Sequence, residues 1–312
     1  MGIFGIIIFG TIALAAPLIA AALGGLFSER SGVVNIGLEG MMTAGAFGAA
    51  AVIAIMEING LGGQGAIFAG LVVACLLGGL FGLLHAWLSI TFKVDQIISG
   101  TVINIVTVAI AVYFTKILFG SANTKIIMTQ PLKLGTVTYL SIFIILLCFV
   151  AYFLLYKTKW GKHVLAVGEN PSAADAMGIN VLKVRYQAVI LSGILGGLGG
   201  AAIVINSTNN FSALTVAGSG FIALAVLIFG RHNPFGVLAA GIIFGFSKTL
   251  GASVATIDPS LMPQMLRFLT TVPQVIYQML PYLITIIVLV IFSRNKMMSM
   301  EALGEPYDKE VR

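Results

Sequence analysis

Residues 157–185 read KTKWGKHVLAVGENPSAADAMGINVLKVR. In a chain that is 59% hydrophobic and 9% charged, this stretch is a polar island. At its centre Asn170, Pro171, Ser172, Ala173, Ala174, Asp175, Ala176, Met177 and Gly178 carry the punctuation of a very short helix. Asn170 suits the N-cap, Pro171 the first helical position, and Gly178 the left-handed residue just past the end. About two turns of helix do not persist alone in water, so the element needs a surface to lie against. Taken alone, the residues allow two readings: a capped connector between membrane helices, or a docking element for a cytoplasmic partner.

Outside the island the chain is apolar. It holds 17 Lys and Arg and 11 Asp and Glu in 312 residues, where a soluble protein would be about one-quarter charged. More than half of these charges fall within 157–185 and 294–312, and the remainder of the chain is a series of runs long enough to cross a bilayer. The expected fold is therefore all-α and polytopic, with about eight to ten transmembrane or re-entrant helices. A membrane domain would cover residues 1–293, with a cytoplasmic loop at 157–185 and a solvated, mixed-charge cytoplasmic tail at 294–312. The net charge of +6 reflects basic residues at cytoplasmic helix ends and is no sign of nucleic-acid binding. The start, MGIFGIIIFG, has no basic leader region, so residues 3–27 read as a retained span. Cys75 and Cys148 sit inside apolar runs and read as small buried hydrophobes.

Two interruptions stand out. Ser28 to Gly40 is glycine-rich and carries Asn35 and Glu39 into a membrane run. Irregular backbone at membrane depth is tolerated only where protein buries it or where it lines a cavity. Glu39 therefore has three readings: a snorkelling carboxylate, a hydrogen-bond partner of a neighbouring helix, or part of a pathway. Asn104 lies well inside an apolar run and should face protein or a cavity. The second interruption, Asn206 to Gly220, has no charge and contains Phe211. The regions Gly37–Ala54 and Gly218–Gly245 echo one another as small-residue, interrupted and then apolar, the pattern of an internal repeat built around a transport site. Between them, Gly193 with Gly197 and Gly196 with Gly200 set flat patches one turn apart, where another helix can approach closely. The link holding Pro259, Pro263, Arg267 and Pro273 reads as amphipathic and broken. Basic residues put the island, Arg231 and Arg294 in the cytoplasm, and the loops at 120–137 and 206–212 outside.

No Walker loop, zinc-spaced histidine pair or nucleophile elbow occurs in the sequence. Catalytic and metal residues are expected to be absent, and the chain reads as a passage driven from elsewhere.

SGVVNIGLEGMM at 31–42 and, more specifically, VGENPSAADAMGI at 167–179 resemble the permease subunits of bacterial ABC importers for simple sugars, branched-chain amino acids and nucleosides. The resemblance runs from the first span to Arg294. It implies that Asn170–Gly178 is the coupling helix, seated in a groove of an ATPase subunit that binds ATP, so that this chain holds no cofactor. The NIGLEGMM variant is most similar to the nucleoside branch, in which a shorter permease like this one pairs with a longer paralogue. An extracytoplasmic solute-binding lipoprotein delivers the nucleoside, and the assembly sits among the lipids of the bacterial cytoplasmic membrane. An uncharged nucleoside needs amides, hydroxyls and aromatic faces, which makes Asn35, Glu39, Asn104, Asn206 and Phe211 candidates for the substrate path. The alternatives are a ribose-like sugar permease of the same family and an ion-coupled secondary transporter.

Overall fold

The computed structural model describes residues 3–253, 272–292 and 302–307. Its helices are α1 (Ile3–Arg30), α2 (Leu38–Ile58), α3 (Gln64–Ala86), α4 (Gln96–Phe119), α5 (Tyr139–Lys157), α6 (Lys159–Glu169), α7 (Pro171–Ala176), α8 (Val181–Ile203), α9 (Ser219–Phe229), α10 (Pro234–Ser253) and α11 (Gln274–Phe292). Helices α3 and α8 each run on into a five-residue π-helical turn, Trp87–Thr91 and Val204–Thr208. A small antiparallel hairpin, Lys133–Leu134 with Val137–Thr138, sits in the loop between α4 and α5. Among the described residues seven helices are long and apolar enough to cross a membrane, and α9 is a shorter apolar helix of 11 residues. At 1.5 Å per residue α9 covers about 16 Å, half a bilayer core. This is the all-α polytopic architecture expected from composition. The broken link around Pro259, Pro263 and Arg267 lies outside the described residues.

Local chemistry sets the helix ends. Asp95 caps α4 by accepting from the amides of Ile97 and Ile98, and Thr138, Thr158 and Asn180 cap α5, α6 and α8 in the same way. Gly120 closes α4 in the left-handed conformation, at φ 65°.

Helix α8 is the axis of the bundle, in contact with α1, α2 and α3. In lipid, apolar surface gives no net drive for helices to associate, and close van der Waals packing takes its place. The glycines of α8 make that packing possible. A methyl on Gly197 would strike the carbonyl of Ala74 in α3, one on Gly200 the carbonyl of Met42 in α2, and one on Gly193 the carbonyl of Gly78 in α3. Gly199 faces Pro17 and Ala21 of α1. The flat patches read from the sequence thus serve α2 and α3, and Gly199 adds a third side toward α1.

The contacts also fix direction. Gly24 meets Ser192, Gly199 meets Pro17, and Asn206 meets Ala13, so α1 and α8 run antiparallel. Each is followed by a non-helical stretch, 31–37 after α1 and 209–218 after the π turn of α8, and then by a new helix. The two halves therefore repeat the same motif in opposite orientations, which gives the weak sequence echo a structural form. The N-terminal end of α1 lies on the side away from the polar island. The loops at 120–137 and 206–212 share that side: the amides of Thr124 and Ile127 donate to the carbonyls of Phe211 and Asn209, at 3.0 and 2.7 Å.

A Leu at Gly197 has to displace the backbone of α3, and overpacking of this kind costs about 1–3 kcal/mol. Gly197→Leu is expected to lower the thermal unfolding midpoint in detergent markedly. Gly65→Leu, at a glycine with open space around it, should leave the midpoint nearly unchanged.

Candidate functional site

The stretch 31–37 leaves the helical ladder inside the protein, so each of its polar backbone groups needs another partner. Neighbouring side chains supply them. Ser28 Oγ donates to Val33 O, at 2.7 Å. Gln96 Oε1 accepts from the Val34 amide, at 2.7 Å. His85, fully buried, holds Val34 O through Nε2 at 3.0 Å. A carbonyl can only accept, so Nε2 carries the proton and Nδ1 is left to accept from the Ser99 hydroxyl, at 3.0 Å. Asn104 uses both ends of its amide: Nδ2 donates to Ile36 O at 3.0 Å, and Oδ1 accepts from the Gly40 amide at 2.7 Å. Asn104 is thus the side-chain cap that Gly37, at the N-cap of α2, cannot provide. Asn35 is buried and donates to Ser192 Oγ on α8, at 2.8 Å.

Glu39 stands in the first turn of α2 and reaches across to α9. Its Oε1 accepts from the Gly218 amide at 2.7 Å and its Oε2 from the Gly220 amide at 2.6 Å. A carboxylate on the free amides of a helix N-terminus gains from both hydrogen bonding and the helix dipole. Of the three readings of Glu39, the helix-to-helix partner is the one its contacts describe. Lys248 on α10 donates from Nζ to the buried Ser219 hydroxyl, at 2.9 Å, and lies within the field of the Glu39 charge. The three helices α2, α9 and α10 therefore meet through opposite charges balanced around the start of α9. Leu38 and Leu224 both pack on Gly25 of α1, five residues short of that helix's end at Arg30. The N-terminus of α9 lies deeper still, well inside the membrane.

Beside this junction, toward the outer side, is a cavity of about 470 Å³ lined by Thr208, Thr215, Ser219, Lys248, Tyr277 and Tyr282 among others. That volume is within the range of about 300–1,000 Å³ typical of small-molecule sites. Among the described residues none of Asn35, Glu39, Asn104, Asn206 and Phe211 is in its wall. Asn206 compensates for a proline. Pro17 has no N–H to donate to Ala13 O, and Asn206 Nδ2 supplies a donor at 3.3 Å while Oδ1 accepts from Thr138. Phe211 is fully buried, edge-on to Phe47, and anchors the outer loops through Thr124. Lys248, Ser219 and the two tyrosines escaped the sequence reading. A lysine inside the span Pro234–Ala252 was the available signal.

The end of the bundle away from the loops at 120–137 and 206–212 carries α7. Asn170 caps it by accepting from the Ala173 amide at 2.9 Å, Pro171 opens it, and Gly178 follows it at φ 83°. Ala174 points inward and is buried, whereas Ser172, Ala173, Ala176 and Met177 are exposed, Met177 at 83%. The tail departs from expectation. Residues 302–307 lie along the irregular turn after α1 and bond to it, with Ala302 buried and Gly304, Glu305 and Pro306 exposed. The Ala302 amide donates to Gly168 O, the Gly304 amide to Gly32 O, and the buried Arg185 guanidinium reaches both Ser31 O and Glu305 O. The rest of 294–312 lies outside the described residues.

Residues 7–289 match the model of the branched-chain amino acid transport system permease component family. The chain belongs to this family. It is 40% identical to the guanosine ABC transporter permease NupQ of Bacillus subtilis, over 99% of this chain and 98% of the relative. It is 37% identical to the nucleoside ABC transporter permease NupC of Lactococcus lactis, over 92% of each. It is 32% identical to the putative glucose ABC transporter permease TsgC13 of Haloferax volcanii, over 77% of this chain and 75% of the relative. No solved structure gives a match. The permease is a multi-pass membrane protein and a transport subunit rather than an enzyme, and its family implies ATPase and permease partners.

In the permease, Glu39 connects the two interrupted segments through a charge. Glu39→Gln keeps one acceptor and turns an N–H toward a backbone N–H, so one amide of α9 loses its partner. The expected loss is about 1–3 kcal/mol, read as a lower unfolding midpoint in detergent. Glu57→Gln, whose carboxylate accepts from Met128 and Thr129 at the outer loop, should lower it less.

Proposed function

We propose that this chain is the shorter permease subunit of an ATP-binding cassette importer that carries nucleosides into the cell by alternating access. One observation carries the coupling half of this reading: a capped, two-turn helix, α7, standing on the cytoplasmic face with an exposed methionine at its end. Exposed Met on a small rigid helix is the chemistry of an adaptable docking knob. Asn170–Gly178 is then the coupling helix, seated on the ATPase subunit, which binds the ATP. Helix α7 follows directly on α6 and leads into α8, the helix against which α1, α2 and α3 pack, so a push on α7 reaches the centre of the bundle.

The substrate half rests on the near full-length likeness to guanosine and nucleoside permeases and is supported by the balance of charge at the cavity. Glu39 and Lys248 offset one another, which suits an uncharged solute, and Tyr277 and Tyr282 offer aromatic faces. The partners of the complete machine are the ATPase, a longer paralogous permease forming a heterodimer, and an extracytoplasmic lipoprotein that captures the nucleoside. In this scheme Asn35, Asn104, Asn206 and Phe211 hold the framework of the path, and Glu39 sets where α9 starts beside it.

Purification in mild detergent is expected to recover an ATPase and a second permease, with hydrolysis stimulated by nucleoside-loaded binding protein. Stimulation by a sugar-loaded protein alone would move the substrate to the sugar branch. Failure to recover any ATPase, even after cross-linking at Ser172, would remove the coupling assignment. Ala174 is unsuited to a charge-insertion test, because a charge there breaks the chain's own packing. Met177→Arg places an unpaired charge in the docking interface instead, worth about 2 kcal/mol or more. Uptake in Met177→Arg should fall by about thirtyfold or more, with normal amounts of the protein in the membrane.

A further inference from the structure

An ammonium group inside a membrane span, facing a cavity, marks a functional site. Lys248 is such a group. Its Nζ donates to Ser219 Oγ at 2.9 Å, and it lines the outer cavity in company with Tyr277 and Tyr282. The carboxylate that balances it, Glu39, is turned to the backbone amides of Gly218 and Gly220 and does not line the cavity. The charge on the cavity side of the junction is therefore a donor, while the acceptor that neutralises it lies behind the start of α9. A lysine ammonium has three N–H donors and no acceptor, and Ser219 takes one of them. The phenol oxygen of Tyr282 lies 3.7 Å from where a side chain on Gly218 would begin, so this ring reaches from α11 to the same helix start. A hydrogen-bond donor and an aromatic ring thus line the same cavity near the start of α9.

We propose that Lys248 is the specificity-determining hydrogen-bond donor of the cavity, and that it is addressed to the acceptor edge of a 6-oxopurine nucleoside lying against Tyr282. This inference rests on the nucleoside reading given above. A 6-oxopurine presents O6 and N7, two acceptors on one edge, and lysine is a natural partner for that edge. Adenine presents an amino donor in place of O6, so its edge sets N–H against N–H. The role of Ser219 follows: by accepting from Nζ it fixes the direction of the ammonium, acting as a positioning residue.

The test is uptake of radiolabelled inosine and adenosine by cells carrying the complete transporter, with Lys248 intact or replaced by Met. The same binding protein loads both solutes, so its own selectivity cancels in the ratio of variant to intact transporter. Inosine uptake is expected to fall by about tenfold or more, with adenosine changing by less than about threefold and membrane levels unchanged by immunoblot. If Lys248→Met does not reach the membrane, Ser219→Ala keeps the lysine but removes the oxygen that directs it, and should lower inosine uptake more than adenosine uptake. Equal losses for the two nucleosides would overturn the proposal and leave Lys248 as a support for the helix junction. No loss for either would overturn it as well. If the intact transporter carries neither nucleoside, the nucleoside reading falls together with it, an outcome distinct from the other two.

Discussion

The structure depends on one carboxylate placed where two broken segments meet. Glu39 belongs to the helix that restarts after the first interruption, and it caps the helix that restarts after the second. An isolated carboxylate at such depth costs several kcal/mol, and an isolated helix N-terminus leaves amides without partners. Each requirement is met by the other. The two interruptions are therefore not independent irregularities. They are two halves of a single joint, and Lys248 on α10 completes its charge balance through Ser219.

That joint explains why α9 can be so short. An 11-residue apolar helix would not span a bilayer, and it begins inside the protein because Glu39 gives its first amides something to bond. The stretch leading to it can then run as irregular backbone beside a cavity. On the other side of the joint, Asn104, Gln96 and His85 perform the same service for 31–37. Polar side chains scattered along apolar helices, which look costly one by one, supply partners to two segments that have left the helical ladder.

The glycines of α8 serve a second constraint. Close approach of the chain around α8 accompanies the bond of Asn35 to Ser192, and a side chain at Gly193, Gly197 or Gly200 would hold α2 and α3 away from α8. The packed axis has the polar stretch 157–180 at one end and lies beside the cavity at the other. Ala174 is buried within the chain, while Met177 stands exposed at the end of α7. The docked tail adds a clasp beneath, where Arg185 ties the turn after α1 to residue 305.

The sequence by itself determined the class, the spans, the capped element at 170–178 and the two places where helices break. These depend on local composition and on the chemistry of Asn, Pro and Gly, which act within a few residues. It also reached the glycine contact face, because a one-turn spacing is itself a local property. The partners of Glu39, Asn104 and Asn206 were decided only by the tertiary structure. Each bonds to backbone more than 60 residues away, and an amide carries no side-chain signal that a sequence can display. The same holds for the cavity. Lys248, Ser219 and Tyr282 come from three helices and make one wall only where those helices pack together.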